Sequence, residues 1–326
     1  MRKETQDDTP PRALGQRLTW EDLPDRIREA IQEGIGDQVI AAESMSSGYS
    51  PGLASRLTTV SGHRVFAKAV SNLINADSPG FHRREIEIAA HLPETAPVPR
   101  LLWSTAELDG EEWAVLVFEE VVGHPPAQPW IPAEFDRVVD ALNALSADLT
   151  PSPVAPEVVG RSADANALVH PNWQNLAAHS ALHPDPLVQR NLDRLMQVER
   201  GVRGVLEGNT LLHFDLRGDN MLLTEDGVVI VDWPHAEVGP AWMDGVFFAP
   251  SVVLEGGPDP EALVQRLDAM RSADPDALTT GLVAVAGFFT EHGARPPVPG
   301  LPGLREFQEA QGAVARRWVA QRTGWK

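Results

Sequence analysis

One segment of the chain, residues 211–233, concentrates the side chains that could do chemistry. It reads LLHFDLRGDNMLLTEDGVVIVDW and contains Asp215, Asn220 and Asp232. Phosphoryl transfer is the chemistry that such a set would serve, because there the protein has mainly to position the reactants and neutralise the charge of a triphosphate. Asp215 could accept the proton of an acceptor hydroxyl, while Asn220 and Asp232 offer the oxygen ligands that Mg²⁺ takes. We therefore predict all three as catalytic residues and the last two also as metal ligands.

Two short apolar strands joined by the turn EDG are predicted to position these residues. The first strand, MLLT, directly follows Asn220, and the second, VVIV, directly precedes Asp232. Short apolar runs bounded by turn residues are typical of buried strands. Asp232 should therefore stand at the end of a buried strand that fixes its position.

A lysine and a glutamate earlier in the chain are predicted to form a buried ion pair. In the strand RVFAKAV, the alternation of side chains places Lys68 on an apolar face, where an unpaired ammonium group would be costly. A helix is predicted over residues 81–92, and it carries Glu85 and Glu87. Glu85 has apolar residues at its helical spacings, whereas Glu87 is flanked mainly by basic residues. We therefore predict Glu85 as the partner of Lys68.

These motifs resemble those of a known family. The pattern H-x-D-x-x-x-x-N at 213–220, followed twelve residues later by the strand-end Asp232, is similar to the catalytic and metal-binding segments of the protein-kinase-like fold. HFDLRGDN followed by VDW and GPAWMD resembles the aminoglycoside phosphotransferase and choline kinase family, and DWP stands in place of the protein-kinase DFG. The resemblance implies an α+β fold with two lobes, a small antiparallel-sheet N-lobe and a mainly helical C-lobe. It also implies ATP or GTP with Mg²⁺, and a small-molecule acceptor.

The same resemblance implies roles for residues outside the catalytic segment. Lys68 and Glu85 would bind the phosphates of the nucleotide as an ion pair, and Asp244 would brace the catalytic loop. SSGYSPGLASRL is similar to the phosphate-covering loop, and LVFEEVVG to the connector that holds the adenine ring. The nucleotide-binding residues predicted from these two segments are Ser47, Gly48, Ser50, Glu119 and Val121.

The composition of the linkers predicts how the chain is divided. Residues 1–17 are polar with a proline pair and are expected to form a flexible tail, and residues 122–132 are proline-rich and suit an inter-lobe connector. We assign 18–121, with five strands and the nucleotide-covering loop, to the N-lobe. We assign 133–326, with the catalytic loop and the acceptor pocket, to the helical C-lobe. In that lobe we expect one helix over 186–206 and three or four helices after residue 241.

The composition of the chain excludes several classes of function. Among 326 residues, 27 Lys and Arg face 46 Asp and Glu, which gives a net charge of −19, and there is no cysteine. Such a surface repels phosphate backbones and anionic lipid, and the lack of thiols excludes disulfides and thiolate metal sites. We find no secretory signal and no apolar run long enough to span a membrane. We therefore expect a cytoplasmic monomer or dimer that binds neither nucleic acid nor membranes.

Three functions remain open on the sequence. The first is a kinase that phosphorylates a cationic acceptor such as an aminoglycoside, as in antibiotic resistance. This hypothesis is favoured by the net charge and by five carboxylates of the C-lobe: Glu237, Glu255, Asp259, Glu261 and Glu291. The second is a kinase for a sugar, an amino alcohol or a hydroxylated natural product on the same scaffold. The third is a catalytically silent nucleotide-binding protein.

Overall fold

The computed structural model of the chain describes residues 17–45, 52–74, 78–106, 108, 113–179, 183–298, 301 and 303–326. The strands are β1 (Arg17–Leu18), β2 (Val39–Ser44), β3 (Gly52–Thr59), β4 (Arg64–Ser71), β5 (Leu101–Thr105), β6 (Trp113–Glu119), β7 (Thr210–Leu212), β8 (Met221–Leu223), β9 (Val228–Ile230) and β10 (Glu237–Gly239). The α-helices are α1 (Asp25–Ile35), α2 (Ser78–Ala89), α3 (Pro132–Asp148), α4 (Pro156–Val159), α5 (Ser162–Ala165), α6 (Asn172–His179), α7 (Pro186–Glu199), α8 (Val202–Val205), α9 (Met243–Leu254), α10 (Pro260–Arg266), α11 (Asp268–Ser272), α12 (Pro275–Gly293) and α13 (Leu304–Thr323).

The first lobe is built on one mixed sheet. Its order is β1-β3-β4-β6-β5, with β2 also paired to β3, and every pairing is antiparallel except the parallel pairing of β1 with β3. Alternate residues of β4, namely Val65, Ala67 and Ala69, pack with Ile27 and Ile31 of α1 in the core of this lobe. The five predicted strands are therefore present. Residue 17, which we assigned to the end of a flexible tail, instead lies in a sixth strand.

Helix α2 connects the first lobe to the second. Ile88 is fully buried in the core of the helical lobe, and the guanidinium group of Arg84 donates hydrogen bonds to the backbone oxygens of Val159 and Ala236. The connector after β6 is also tied to that lobe, because His124 and Leu223 of β8 exchange two backbone hydrogen bonds of 3.1 and 2.8 Å. These contacts fix the sheet lobe against the catalytic segment.

The second lobe is mainly helical, as predicted, but its helices are divided more finely. The helix expected over 186–206 is interrupted at Arg200 and Gly201, where α7 ends and α8 begins after a turn. After residue 241 there are five described helices rather than three or four, since Leu267 is extended and separates α10 from α11. None of the helices in the described ranges is both long and apolar enough to cross a membrane.

A buried glutamate in this lobe leads to a prediction about stability. The carboxylate of Glu199 accepts the backbone N–H of Trp173 at 3.2 Å to each oxygen, and burial raises the pKa of Glu199 to about 7. The unfolded value is about 4.3, so the protonated side chain stabilises the fold below that pH, and this stability is lost as the pH rises through about 7. As the pH rises from 5 to 8, the free energy of unfolding of Glu199→Gln should therefore increase by about 1–3 kcal/mol relative to that of the unmodified protein.

Urea unfolding of both proteins at pH 5 and pH 8 measures this difference. Glu207→Gln, a change at an exposed glutamate eight residues away, is the control and should show no such pH dependence. An unchanged pH dependence in Glu199→Gln would contradict the prediction.

Candidate active site

The two lobes meet at an ion-paired lysine. The Nζ atom of Lys68, on β4, lies 2.8 and 2.9 Å from the carboxylate oxygens of Glu85 on α2, and 2.8 Å from Oδ1 of Asp232 just beyond β9. It also lies 5.9 Å from the centre of the Phe118 ring. Glu85 is buried, whereas Glu87 is exposed. The structure thus brings together a cation and two carboxylates that are up to 164 residues apart in the chain.

The electrostatics of this cluster keep the lysine charged. Burial opposes the ammonium form of Lys68, but the two carboxylates outweigh it and raise the pKa of Lys68. Burial likewise opposes ionisation of Asp232, yet Lys68 holds the pKa of Asp232 below its usual value. Burial raises the pKa of Glu85 despite the contact with Lys68. The cluster therefore sets one ammonium group against two carboxylates, an excess of negative charge that a metal ion would balance.

Asp215 and Asn220 lie side by side in the loop between β7 and β8. The Nδ2 atom of Asn220 donates to the backbone oxygen of Asp215 at 2.8 Å and to its Oδ2 at 3.1 Å, and Arg217 Nη1 lies 3.3 Å from Oδ1. Burial raises the pKa of the Asp215 carboxyl, and Arg217 opposes the rise. A carboxylate whose pKa is raised in this way is a better proton acceptor than a solvated one.

Asp244 holds this loop in place, as predicted. Its carboxylate accepts the backbone N–H groups of His213 at 2.9 Å and Phe214 at 2.8 Å. Phe214 has φ of 60°, which is costly for an aromatic residue, so the bond from its N–H stabilises a strained conformation. Burial lowers the pKa of His213 to about 4; the neutral ring donates from Nε2 to the Val231 oxygen at 3.0 Å and accepts the Asp215 N–H at Nδ1.

The oxygen atoms of Asn220 and Asp232 fit a magnesium ion. The two residues are neighbours, because the N–H of Val231 donates to the Asn220 backbone oxygen at 3.0 Å. The amide nitrogen of Asn220 is held by Asp215, which leaves its Oδ1 as the ligand atom. Mg²⁺ is usually bound by one or two protein oxygens together with water and phosphate. Within the described ranges no three His, Asp or Glu side chains form a group that could hold a metal ion.

The structure describes only some of the remaining residues that we predicted to bind the nucleotide. Ser47, Gly48 and Ser50 lie outside the described residues. Glu119 ends β6, and its side chain accepts the Arg100 N–H at 3.1 Å. In the part of the chain that the structure describes, the N–H of the half-buried Val121 has no hydrogen-bond partner and is available to a ligand.

Arg17 lies near this site but was not among the site residues predicted from the sequence. Its neighbour Leu18 packs on the core of the sheet lobe, so Arg17 lies on the opposite face of the sheet, which is also the face of Lys68. Burial lowers the pKa of Arg17, and the Asp232 carboxylate opposes this effect, which places both groups within electrostatic range. A strand of two residues is too short to show an alternation, so no sequence signal could have revealed it.

The chain is similar to known proteins in sequence and in fold. The model of the phosphotransferase enzyme family matches residues 56–280, more than half of the chain. A search of curated proteins gives no match.

Many solved structures share the fold. One is an amicoumacin kinase in complex with AMP-PNP, Ca²⁺ and Ami, with a TM-score of 0.58, 12% identity and coverage of 92% of this chain and 94% of that one. A thermostable mutant of an aminoglycoside phosphotransferase with ADP and hygromycin B has a TM-score of 0.59, 15% identity and coverage of 92% and 99%. A choline kinase from Streptococcus pneumoniae has a TM-score of 0.56, 11% identity and coverage of 89% and 99%. The predicted protein-kinase-like α+β fold with two lobes is thereby confirmed.

Proposed function

Because the chain belongs to the phosphotransferase enzyme family, we propose that it transfers the γ-phosphoryl group of ATP or GTP to a hydroxyl group of a small molecule. The observation that carries this proposal is the contact of Lys68 with both Glu85 and Asp232, next to the loop that holds Asp215 and Asn220. The cluster supplies a cation for phosphates, oxygen ligands for a metal and a carboxylate for proton transfer.

Each residue has a distinct part in the proposed reaction. Lys68, held by Glu85, binds the nucleotide phosphates, and the free N–H of Val121 contacts the adenine ring. Asn220 and Asp232 would hold Mg²⁺, which when bound would neutralise charge on the phosphates. Asp215 orients the acceptor hydroxyl and takes its proton as the oxygen bonds to the γ-phosphorus atom. The bond from that atom to the β-phosphate oxygen breaks at the same time, and the nucleoside diphosphate leaves. Ser47, Gly48 and Ser50 are proposed to cover the phosphates, and Glu119 to lie in the nucleotide connector.

Nucleotide-dependent stabilisation tests the first step of this reaction. A ligand that binds the folded state raises the melting temperature by mass action. We expect ATP or GTP to raise the Tm more with Mg²⁺ than without it, and Lys68→Met to weaken nucleotide binding by about tenfold or more, since a charge-assisted hydrogen bond contributes about 1.5–3 kcal/mol.

Arg28→Met, on α1 of the same lobe, is the control and should bind nucleotide like the unmodified protein, because Arg28 pairs with Asp25 of its own helix. The absence of any nucleotide-dependent shift in the unmodified protein would contradict the proposed function. Equal affinity of Lys68→Met would remove Lys68 from the nucleotide site.

Two charge effects bear on the acceptor, and they differ in range. The net charge of −19 supports the cationic, aminoglycoside-like acceptor expected from composition, through long-range attraction. Such attraction is largely screened beyond about 8 Å at physiological ionic strength. The side chains within contact distance of the acceptor therefore decide its chemical class.

A further inference from the structure

The carboxylates expected to attract a cationic acceptor are occupied by partners within the protein. Glu261 accepts hydrogen bonds from Trp318 Nε1 at 2.6 Å and from Arg322 at 2.7 Å. The other four are also engaged: Glu237 with Asn166, Glu255 with Trp130 and Gly218, Asp259 with the N–H of Glu261, and Glu291 with Arg295. Among these five, Glu261 and Glu291 are paired with arginine, while the other three accept hydrogen bonds from uncharged donors and keep their charge. Pairing within the protein therefore weakens the case for a polycationic acceptor.

An aromatic strip leads away from the proposed catalytic base instead. It begins at Phe214, the residue before Asp215, whose ring centre lies 5.4 Å from that of Phe247. Phe247 lies 6.3 Å from Phe288, and Phe288 lies 4.2 Å from His292, both on α12. Phe247, Phe288 and His292 are only partly buried. Phe214 itself is buried, so the exposed ring surface of this aromatic strip, formed by Phe214, Phe247, Phe288 and His292, belongs to the last three and begins one ring contact away from the residue before Asp215.

A further aromatic residue approaches Asp215 from α13. The guanidinium group of Arg217 lies 5.4 Å from the ring centre of Phe307, and its Nη1 lies 3.3 Å from Oδ1 of Asp215. Phe307 is likewise partly buried. One guanidinium group therefore separates this ring from the proposed catalytic base. Aromatic surface lies close to Asp215 on α13 as well as along the strip.

The charged groups near the end of the strip are of both signs. Glu291 is paired with Arg295, whose Nη2 lies 2.7 Å from Oε2, and Arg305 follows at the start of α13 with its Nε bonded to the Pro296 oxygen. Glu306 and Glu309, at the start of α13, add two carboxylates to this set, while burial keeps the pKa of His292 below its usual value. The charges of this region therefore do not favour one class of acceptor.

We propose that the acceptor is a hydroxylated molecule with an apolar, aromatic face, and that this face packs on the aromatic strip and on Phe307. The proposal rests on the proposed function, because the acceptor hydroxyl must reach Asp215. Stacking and burial of one aromatic ring suffice for at least a tenfold preference, since a tenfold change corresponds to about 1.4 kcal/mol.

Paired glucosides test this proposal on the full chain. The two probes, 4-nitrophenyl β-D-glucopyranoside and methyl β-D-glucopyranoside, carry the same sugar hydroxyls. They differ only in the aglycone, which is aromatic in the first and a methyl group in the second. Hygromycin B serves as the polycationic probe. Isothermal titration of each probe into protein saturated with Mg·ADP gives three dissociation constants. We expect the aryl glucoside to bind at least about tenfold more tightly than either other probe.

Variants locate the preference on the proposed surface. Phe307→Ala should bring the affinity ratio of the two glucosides close to one without changing the affinity for Mg·ADP, and Phe288→Ala is the second variant in case the first does not fold. Leu102→Ala, which shortens an exposed apolar side chain on the edge strand β5, should keep the full ratio.

Three results would overturn the proposal: equal or absent binding of both glucosides, tighter binding of hygromycin B, or a ratio that survives in both phenylalanine variants. Failure of the unmodified protein to bind Mg·ADP would count against the proposed function instead.

Discussion

Replacing Asp215 by asparagine is expected to lower kcat for phosphoryl transfer by about a thousandfold while the affinity for Mg·ATP stays within about threefold. Asparagine keeps an oxygen that can accept the hydrogen bond from Asn220 Nδ2, so the loop should keep its shape. It cannot take up the hydroxyl proton. Since nucleotide binding is assigned to Lys68, Asn220 and Asp232, only the rate of the chemical step should fall.

Asp219→Asn is the matched control for this prediction. Asp219 lies in the same loop and its carboxylate also binds Arg217, at 2.9 and 3.1 Å. If Asp215 acts only by neutralising Arg217, the two variants should lose similar activity. We expect Asp219→Asn to lose about tenfold at most, because it leaves the proton acceptor intact. The rate of phosphate transfer from radiolabelled ATP measures both variants, and equal losses would remove Asp215 from proton transfer.

The same comparison separates an enzyme from a silent nucleotide-binding protein. A silent protein would bind Mg·ATP and show no acceptor-dependent turnover that Asp215→Asn could reduce. An enzyme shows turnover that depends on this carboxylate.

The parts of the site that could be predicted from sequence depend on local patterns. Glu85 faces Lys68 because its helical spacings are apolar, and the same periodicity that buries Ile88 in the core turns Glu85 inward. Asp232 stands where the apolar strand ends, and Asp244 follows at the start of the next helix. Local periodicity therefore predicted the pairing of Glu85 with Lys68, whereas the role of Asp244 and the link from Lys68 to the catalytic segment followed from the family resemblance.

The parts that could not be predicted depend on contacts between distant residues. Glu261 was expected to attract a cationic ligand, but its partner Arg322 lies 61 residues away and its charge is neutralised only in the folded chain. The aromatic strip joins residues from the catalytic loop, α9 and α12, so no short window of sequence contains it. A sum of charges cannot reveal which of them are already paired.

Asp232→Asn is expected to abolish the contribution of Mg²⁺ to nucleotide affinity. Loss of a residue that only supports a metal ligand typically costs about 10–100-fold in metal affinity, so loss of a carboxylate ligand should cost at least about 100-fold. The fold should persist, because Lys68 keeps Glu85 as its partner at 2.8 Å. Titration of ADP with and without Mg²⁺ measures this effect.

The matched control for Asp232→Asn is Asp226→Asn, at the exposed turn between β8 and β9, which removes the same charge from the same hairpin. It should keep the full Mg²⁺ dependence of ADP binding. Without Mg²⁺, ADP should bind to Asp232→Asn at least as tightly as to the unmodified protein. Removing this carboxylate takes away one partner that competes with phosphate for Lys68, and it reduces the negative charge near the phosphates. Affinity without metal should therefore stay constant or rise, while affinity with metal falls. A variant that retained the Mg²⁺ enhancement would show that the ion is held by other residues.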